Sequence, residues 1–190
     1  MDCKELKRRC TSFTVLVATL YFSMVSEAVR ASGSESTNWK EWPTVGQAQL
    51  SWFVFDVYES RLQSPSGGYV VSSDITPHPV ALEIRYQRNI SSDQLLDATI
   101  EQWQALGYDS TSQRQWLDAL IPIFPSVSSG DRLIYVTDGL SGDFYFNKDD
   151  QQSHIGKIDN EQLNDAFLAI WLSPNTEYPN LRKQLIGLAK

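Results

Sequence analysis

The heptapeptide VALEIRY, residues 80–86, sets Val80, Leu82, Ile84 and Tyr86 on one face of a strand and Ala81, Glu83 and Arg85 on the other. A strand with one apolar face needs cover on that face, and the rest of the chain supplies it. The string AQLSWFVFDVY, residues 48–58, is rich in β-branched and aromatic residues and reads as one long strand buried on much of both faces. SPSGGY then makes a turn. After VALEIRY comes ISSDQLLDATIEQWQALG, residues 90–107, an amphipathic helix. Ser91 with Gln94 forms a capping-box pattern, Gly107 a stop, and Leu95, Leu96, Thr99, Ile100, Trp103 and Leu106 one stripe. A second helix is expected over 112–121 with Trp116, Leu117, Leu120 and Ile121 inward, ended by Pro122 and Pro125.

Three short strands are predicted over 131–137, 143–147 and 153–158, joined by the turn sequences TDGLSG and NKDDQQ. A helix over 160–171 turns Leu163, Ala166, Phe167, Ile170 and Trp171 inward. Pro179 opens a last one carrying Leu181, Leu185, Ile186 and Leu188. Strands, inserted helices, strands again and helices last make an α+β fold, a largely antiparallel sheet covered on one face by helices.

The N-terminus predicts export. MDCKELKRRC is basic and TSFTVLVATLYFSMV is an uncharged apolar run of signal-peptide length, short of the ~20 residues that cross a bilayer. Residues 1–31 are expected to be a signal peptide, 32–41 a flexible polar lead-in and 42–190 one domain, periplasmic or secreted, that meets the membrane only through the uncleaved leader. Removing 1–31 takes away five basic and three acidic residues and leaves a net charge of −9. With no Lys/Arg cluster outside the leader, nucleic acid is a poor partner for so acidic a chain. Both cysteines, Cys3 and Cys10, lie in the leader, so the exported chain has no thiol for a disulfide, a nucleophile or a metal.

Candidate chemistry is sparse. His78 sits between two prolines and His154 in a predicted hairpin, neither with metal-ligand spacing, and no metal or cofactor is expected. There is no G-x-S-x-G elbow. Asp56, inside WFVFDVY, would need a partner if buried, with Arg61, Arg85 or Arg88 as candidates. Asn89-Ile90-Ser91 matches a glycosylation triplet. Arg85 beside Tyr86 is the pair of most interest: a guanidinium fork and a phenol can hold a carboxylate, which next to an aromatic interior suits a fatty acid or another small apolar acid. Strand alternation offers the competing expectation that Arg85 faces solvent.

The succession SWFVFDVY, ISSDQLLDATIEQWQALG, FPSVSSGDRLIYVTDG, FYFN, AFLAIWLSPNT and PNLRKQLIG resembles the bacterial chalcone isomerase-like proteins, over about residues 42–187. The resemblance implies a chalcone isomerase-like open-faced sandwich, with a cleft between an antiparallel sheet and a layer of helices. Catalytic members use an arginine before the long core strand, a threonine within it, and a tyrosine and an asparagine seven residues apart on the following helix. Alignment places Phe53 near the threonine, Ser91 at the tyrosine and Ala98 at the asparagine, and no arginine stands between Trp39 and Arg61. The resemblance therefore implies a non-catalytic protein. Some plant members bind fatty acids through an arginine and a tyrosine, which Arg85 and Tyr86 resemble in type. Two other readings compete: an interaction module of a cell-envelope assembly, showing exposed aromatics such as Trp39 and Trp42, and an isomerase or lyase with a rebuilt site.

Overall fold

Residues 48–58 do not form one strand. The computed structural model describes residues 38–52 and 55–189. In it β1 (Thr44–Trp52) and β2 (Phe55–Gln63) run antiparallel, with Trp52 opposite Phe55. The composition suits a strand on either side of the reversal, and no Gly, Pro, Asn or Asp stands between Trp52 and Phe55 to announce it. Asp56 is consequently near the end of a hairpin. It is exposed and accepts a 2.6 Å hydrogen bond from the Ser51 hydroxyl, and none of the three arginines is needed to pair with it.

After a turn in which the Ser64 hydroxyl donates to the Gly68 carbonyl, β3 (Val80–Tyr86) pairs with β2. Two helices follow. α1 (Ser92–Ala105) starts with the predicted capping box, and α2 (Ser110–Leu120) starts at Asp109, whose carboxylate accepts from the backbone N–H groups of Thr111 and Ser112. The chain then returns to the sheet as β4 (Arg132–Thr137), β5 (Gly142–Lys148) and β6 (Gln151–Ile158). The β5–β6 turn holds Asp149 and Asp150 both at positive φ, the backbone of the tightest hairpins. α3 (Glu161–Leu172), capped by Asn160, and α4 (Pro179–Leu185) complete the order. Two ends differ from expectation: Ile121 is 52% and Leu188 62% exposed, each lying just past the last turn of its helix, where the stripe no longer faces the core.

The six strands form one antiparallel sheet in chain order. From the covered face Leu62, Leu82, Leu133 and Phe144 meet Trp103 of α1 and Phe167 of α3, all almost fully buried. α3 is apolar nearly all round, as a helix between a sheet and other helices must be. Trp103 also donates its indole N–H to the Ala166 carbonyl at 2.9 Å, fixing α1 on α3. A buried polar knot ties loop to helix: the Tyr135 hydroxyl donates to Asn164 Oδ1 at 2.7 Å, while Asn164 Nδ2 donates to Thr76 and to the Gly139 carbonyl. α4 crosses β1 so closely that a Cβ on Gly46 would stand 2.1 Å from the Gln184 carbonyl oxygen, which only glycine avoids. The other face carries Gln47, Gln49, Glu59 and Arg85, all exposed. The lead-in ends in a 3-10 turn, Trp39–Glu41, with the Trp39 ring 6.2 Å from that of Tyr145 on β5.

Candidate functional site

A cavity of about 210 Å³ lies between the sheet and the helices α1 and α3. Its floor comes from inward-facing residues of four strands: Leu50, Tyr58, Ile84, Tyr86 and Leu133. Phe167, Ile170 and Trp171 of α3 form one wall, and Leu95, Ala98 and Thr99 of α1 another. The cavity reaches the surface along α1, where Gln94, Ala98 and Glu101 are all exposed. Since roughly 150 Å³ of apolar space admits a benzene, this volume suits a small ring system or a medium-length chain.

Two phenols are the polar feature of the floor. Tyr58 and Tyr86 stand directly opposite on β2 and β3, their rings edge to face with centroids 6.4 Å apart. The Tyr58 hydroxyl accepts the Trp171 indole N–H at 2.9 Å. Tyr86 is only 4% exposed, yet among the described residues its hydroxyl has no hydrogen-bond partner. Burial pushes both phenols above their ordinary value of 10. For Tyr58 the Trp171 N–H opposes that shift and Tyr178 adds to it, and for Tyr86 the neighbouring Tyr58 adds to it. Both therefore remain neutral near pH 7, each keeping a hydroxyl proton that it can donate. Among the described residues no lysine or arginine lines the cavity, and the one charged lining residue is Glu101 at the mouth.

The structure does not bring Arg85 and Tyr86 together. Adjacent strand residues point to opposite faces, so Tyr86 floors the cavity while the Arg85 side chain, 53% exposed, lies on the open face with Nη1 3.9 Å from Glu59. Ser91 caps α1, its hydroxyl accepting from the Gln94 N–H at 3.2 Å, and Ala98 presents a methyl group at the cavity mouth. Phe53 lies outside the described residues, as does the leader. His78 is a loop residue that accepts the Val70 N–H at its Nε2, and His154 pairs with Asp143 at 2.8 Å on the β5–β6 edge. Asn89 Oδ1 accepts from the Ser129 N–H. Trp39 and Trp42 are half-buried, and the Trp42 carbonyl accepts from Gln63, so they form no exposed aromatic patch. Sequence reading missed Tyr58 and Trp171 as a polar pair. Tyr58 sits in the string taken for one strand, and only the reversal and register assign it to the covered face.

An antiparallel meander with helices on one side and an apolar cleft beneath them defines an open-faced α+β sandwich. A family model described as chalcone isomerase-like matches residues 46–187, and the chain belongs to that family. A curated relative from Haemophilus influenzae, named only as an uncharacterized protein, is 28% identical over 149 residues, which cover 78% of this chain and 70% of the relative.

Proposed function

We propose that this is an exported, non-catalytic chalcone isomerase-like protein that binds a small apolar ligand in the cavity between the sheet and α1–α3. The observation that carries this reading is the Tyr86 hydroxyl, which lines the cavity floor and has no protein partner among the described residues, while the other floor phenol, Tyr58, accepts from Trp171. A ligand that covers this hydroxyl without offering it an acceptor would leave it unpaired at a cost of about 1–3 kcal/mol, so an apolar ligand with one acceptor oxygen is favoured. The donor set narrows the expected acid to a neutral molecule. With Arg85 on the far face and Glu101 at the mouth, a carboxylate would lose its hydration and meet no cation among the described residues. A carbonyl or ether oxygen needs only the phenol.

Absence of catalysis rests on the same side chains. Ser91 is engaged as a helix cap, Ala98 has nothing to donate, and phenols with raised pKa values make poor bases near neutral pH. Export rests on the leader pattern of residues 1–31. Among the described residues no helix is long and apolar enough to cross a membrane. The mass of the protein recovered from a bacterial periplasm tests export, because cleavage after Ala31 leaves Ser32 first.

Binding is tested by calorimetry and thermal shift with octane, methyl hexyl ketone and octanoate. The ketone should bind tightest and raise the melting temperature most, with octanoate weakest at neutral pH. Binding of none of the three would overturn the reading.

A further inference from the structure

The open face of the sheet shows a second arrangement, independent of the cavity. Its charges form a lattice across three strands. Glu59 is opposite Arg85 and Arg61 is opposite Glu83 on β2 and β3, so those four alternate in sign. β4 breaks the pattern by placing Arg132 directly opposite Arg85. Like charges facing each other across a strand pair destabilise a sheet unless something neutralises them.

The nearby acids are already engaged. Glu83 is held by Arg61 at 3.2 Å. Glu59 accepts from Gln87 at 3.2 Å and stands 3.9 Å from Arg85. Among the described residues Arg132 has no ion pair, and neither Arg85 nor Arg132 donates a hydrogen bond, whereas Arg61 and Arg182 each donate one. Both guanidiniums line a polar groove of about 430 Å³, together with the amides of Gln47, Gln49 and Gln184. In a chain of net charge −7, two adjacent cations without a full complement of acids are a local exception.

We propose that the open sheet face carries an oxyanion site in which Arg85 and Arg132 together hold one carboxylate or phosphate group. Directly opposite residues bring their Cβ atoms within roughly 4.5–5.5 Å, so two guanidinium forks can converge on a single oxyanion, each through paired charge-assisted hydrogen bonds. The amides of Gln47 and Gln184 supply further donors for the rest of a small polar anion, while that of Gln49 is engaged with the Leu50 and Tyr58 carbonyls and Gln87. The ligand class thus differs from the cavity's: charged and hydrated here, neutral and apolar there.

The test follows arginine side-chain N–H resonances of the purified protein during titration with inorganic phosphate, succinate and chloride at matched ionic strength. Saturable shifts at Arg85 and Arg132, with Arg114 on α2 unmoved, are expected for phosphate or succinate, and whichever saturates first identifies a phosphate or a carboxylate source. Arg132→Gln should weaken binding about tenfold, the loss of one charge-assisted contact. Without anion its melting temperature should be no lower than the parent's, because the repulsion is relieved. Glu59→Gln, which removes the competing acid, should tighten binding several-fold. If Arg132→Gln does not fold, Arg85→Gln serves in its place. Shifts that track ionic strength equally for chloride, or unchanged affinity in the folded arginine variant, overturn the proposal.

Discussion

The two faces of strand β3 put neighbouring residues into different solvents. Leu82, Ile84 and Tyr86 lie under helices in a nearly dry interior, while Glu83 and Arg85 lie among other charges on the open face. On the covered side a polar group must find a partner within the fold or in a ligand, and it remains uncharged. On the open side charges persist, and their pairing is a matter of register. Two kinds of site arise on one strand because burial differs between residues one position apart.

The largest effect expected is on the covered face. Leu82→Ala deletes a side chain that is 1% exposed and should cost about 2–5 kcal/mol, whereas Arg85→Ala should change stability by less than about 1 kcal/mol, its one ion pair being long and solvated. Urea midpoints of the two variants measure the contrast. Similar costs would show that the open face is covered in solution.

Alkaline pH separates the faces next. Burial holds the Tyr86 phenol neutral well past pH 10, where the unfolded chain ionises it. A group with a raised folded pKa contributes stability that is complete below its unfolded pKa and is lost as pH rises, so stability should fall above pH 10 by about 1.4 kcal/mol per pH unit for each such phenol. Unfolding followed below and above pH 10 checks the slope. Tyr86→Phe should remove one phenol's share of it, and an unchanged slope would mean that Tyr86 is accessible to water.

How much of this was legible in the sequence follows from which signals are local. The alternation of VALEIRY and the Ser91–Gln94 box involve residues within one strand or one turn, and each is where the pattern places it. The reversal between Trp52 and Phe55 carries no turn residues, so a composition suited to strands concealed two of them in one string. Tyr58 opposite Tyr86 and Arg132 opposite Arg85 are facts of register, set by pairing between segments 28 and 47 positions apart, and no local pattern encodes them. Arg85 and Tyr86 are the opposite case: the alternation of VALEIRY, a local signal, separates these sequence neighbours onto opposite faces, and the structure follows the alternation.

Helix α1 allows a smaller test of which of its residues serve the fold and which the cavity. Ser91→Ala removes one arm of the capping box and should cost about 1 kcal/mol with no change in ligand affinity. Ala98→Asn should cost no more than the helix propensity it gives up, about 0.7 kcal/mol at this exposed position, but alter affinity for the ketone at the cavity mouth. Melting curves and calorimetry on both variants separate the roles, and a reversed pattern would place Ser91 at the ligand.

A small effect on stability is also the most informative about the cavity. Near neutral pH, Tyr86→Phe removes a hydroxyl that has no partner among the described residues and should leave the unliganded protein within about 1 kcal/mol of the parent. The same change should erase the preference for methyl hexyl ketone over octane, about fivefold if the lost hydrogen bond is worth near 1 kcal/mol, while octane itself binds as before. The two measurements must agree. A variant that loses stability would mean that the hydroxyl already has a partner in the fold. A variant that keeps the ketone preference would move the orienting donor to Tyr58, whose hydroxyl accepts from Trp171 and is still able to donate.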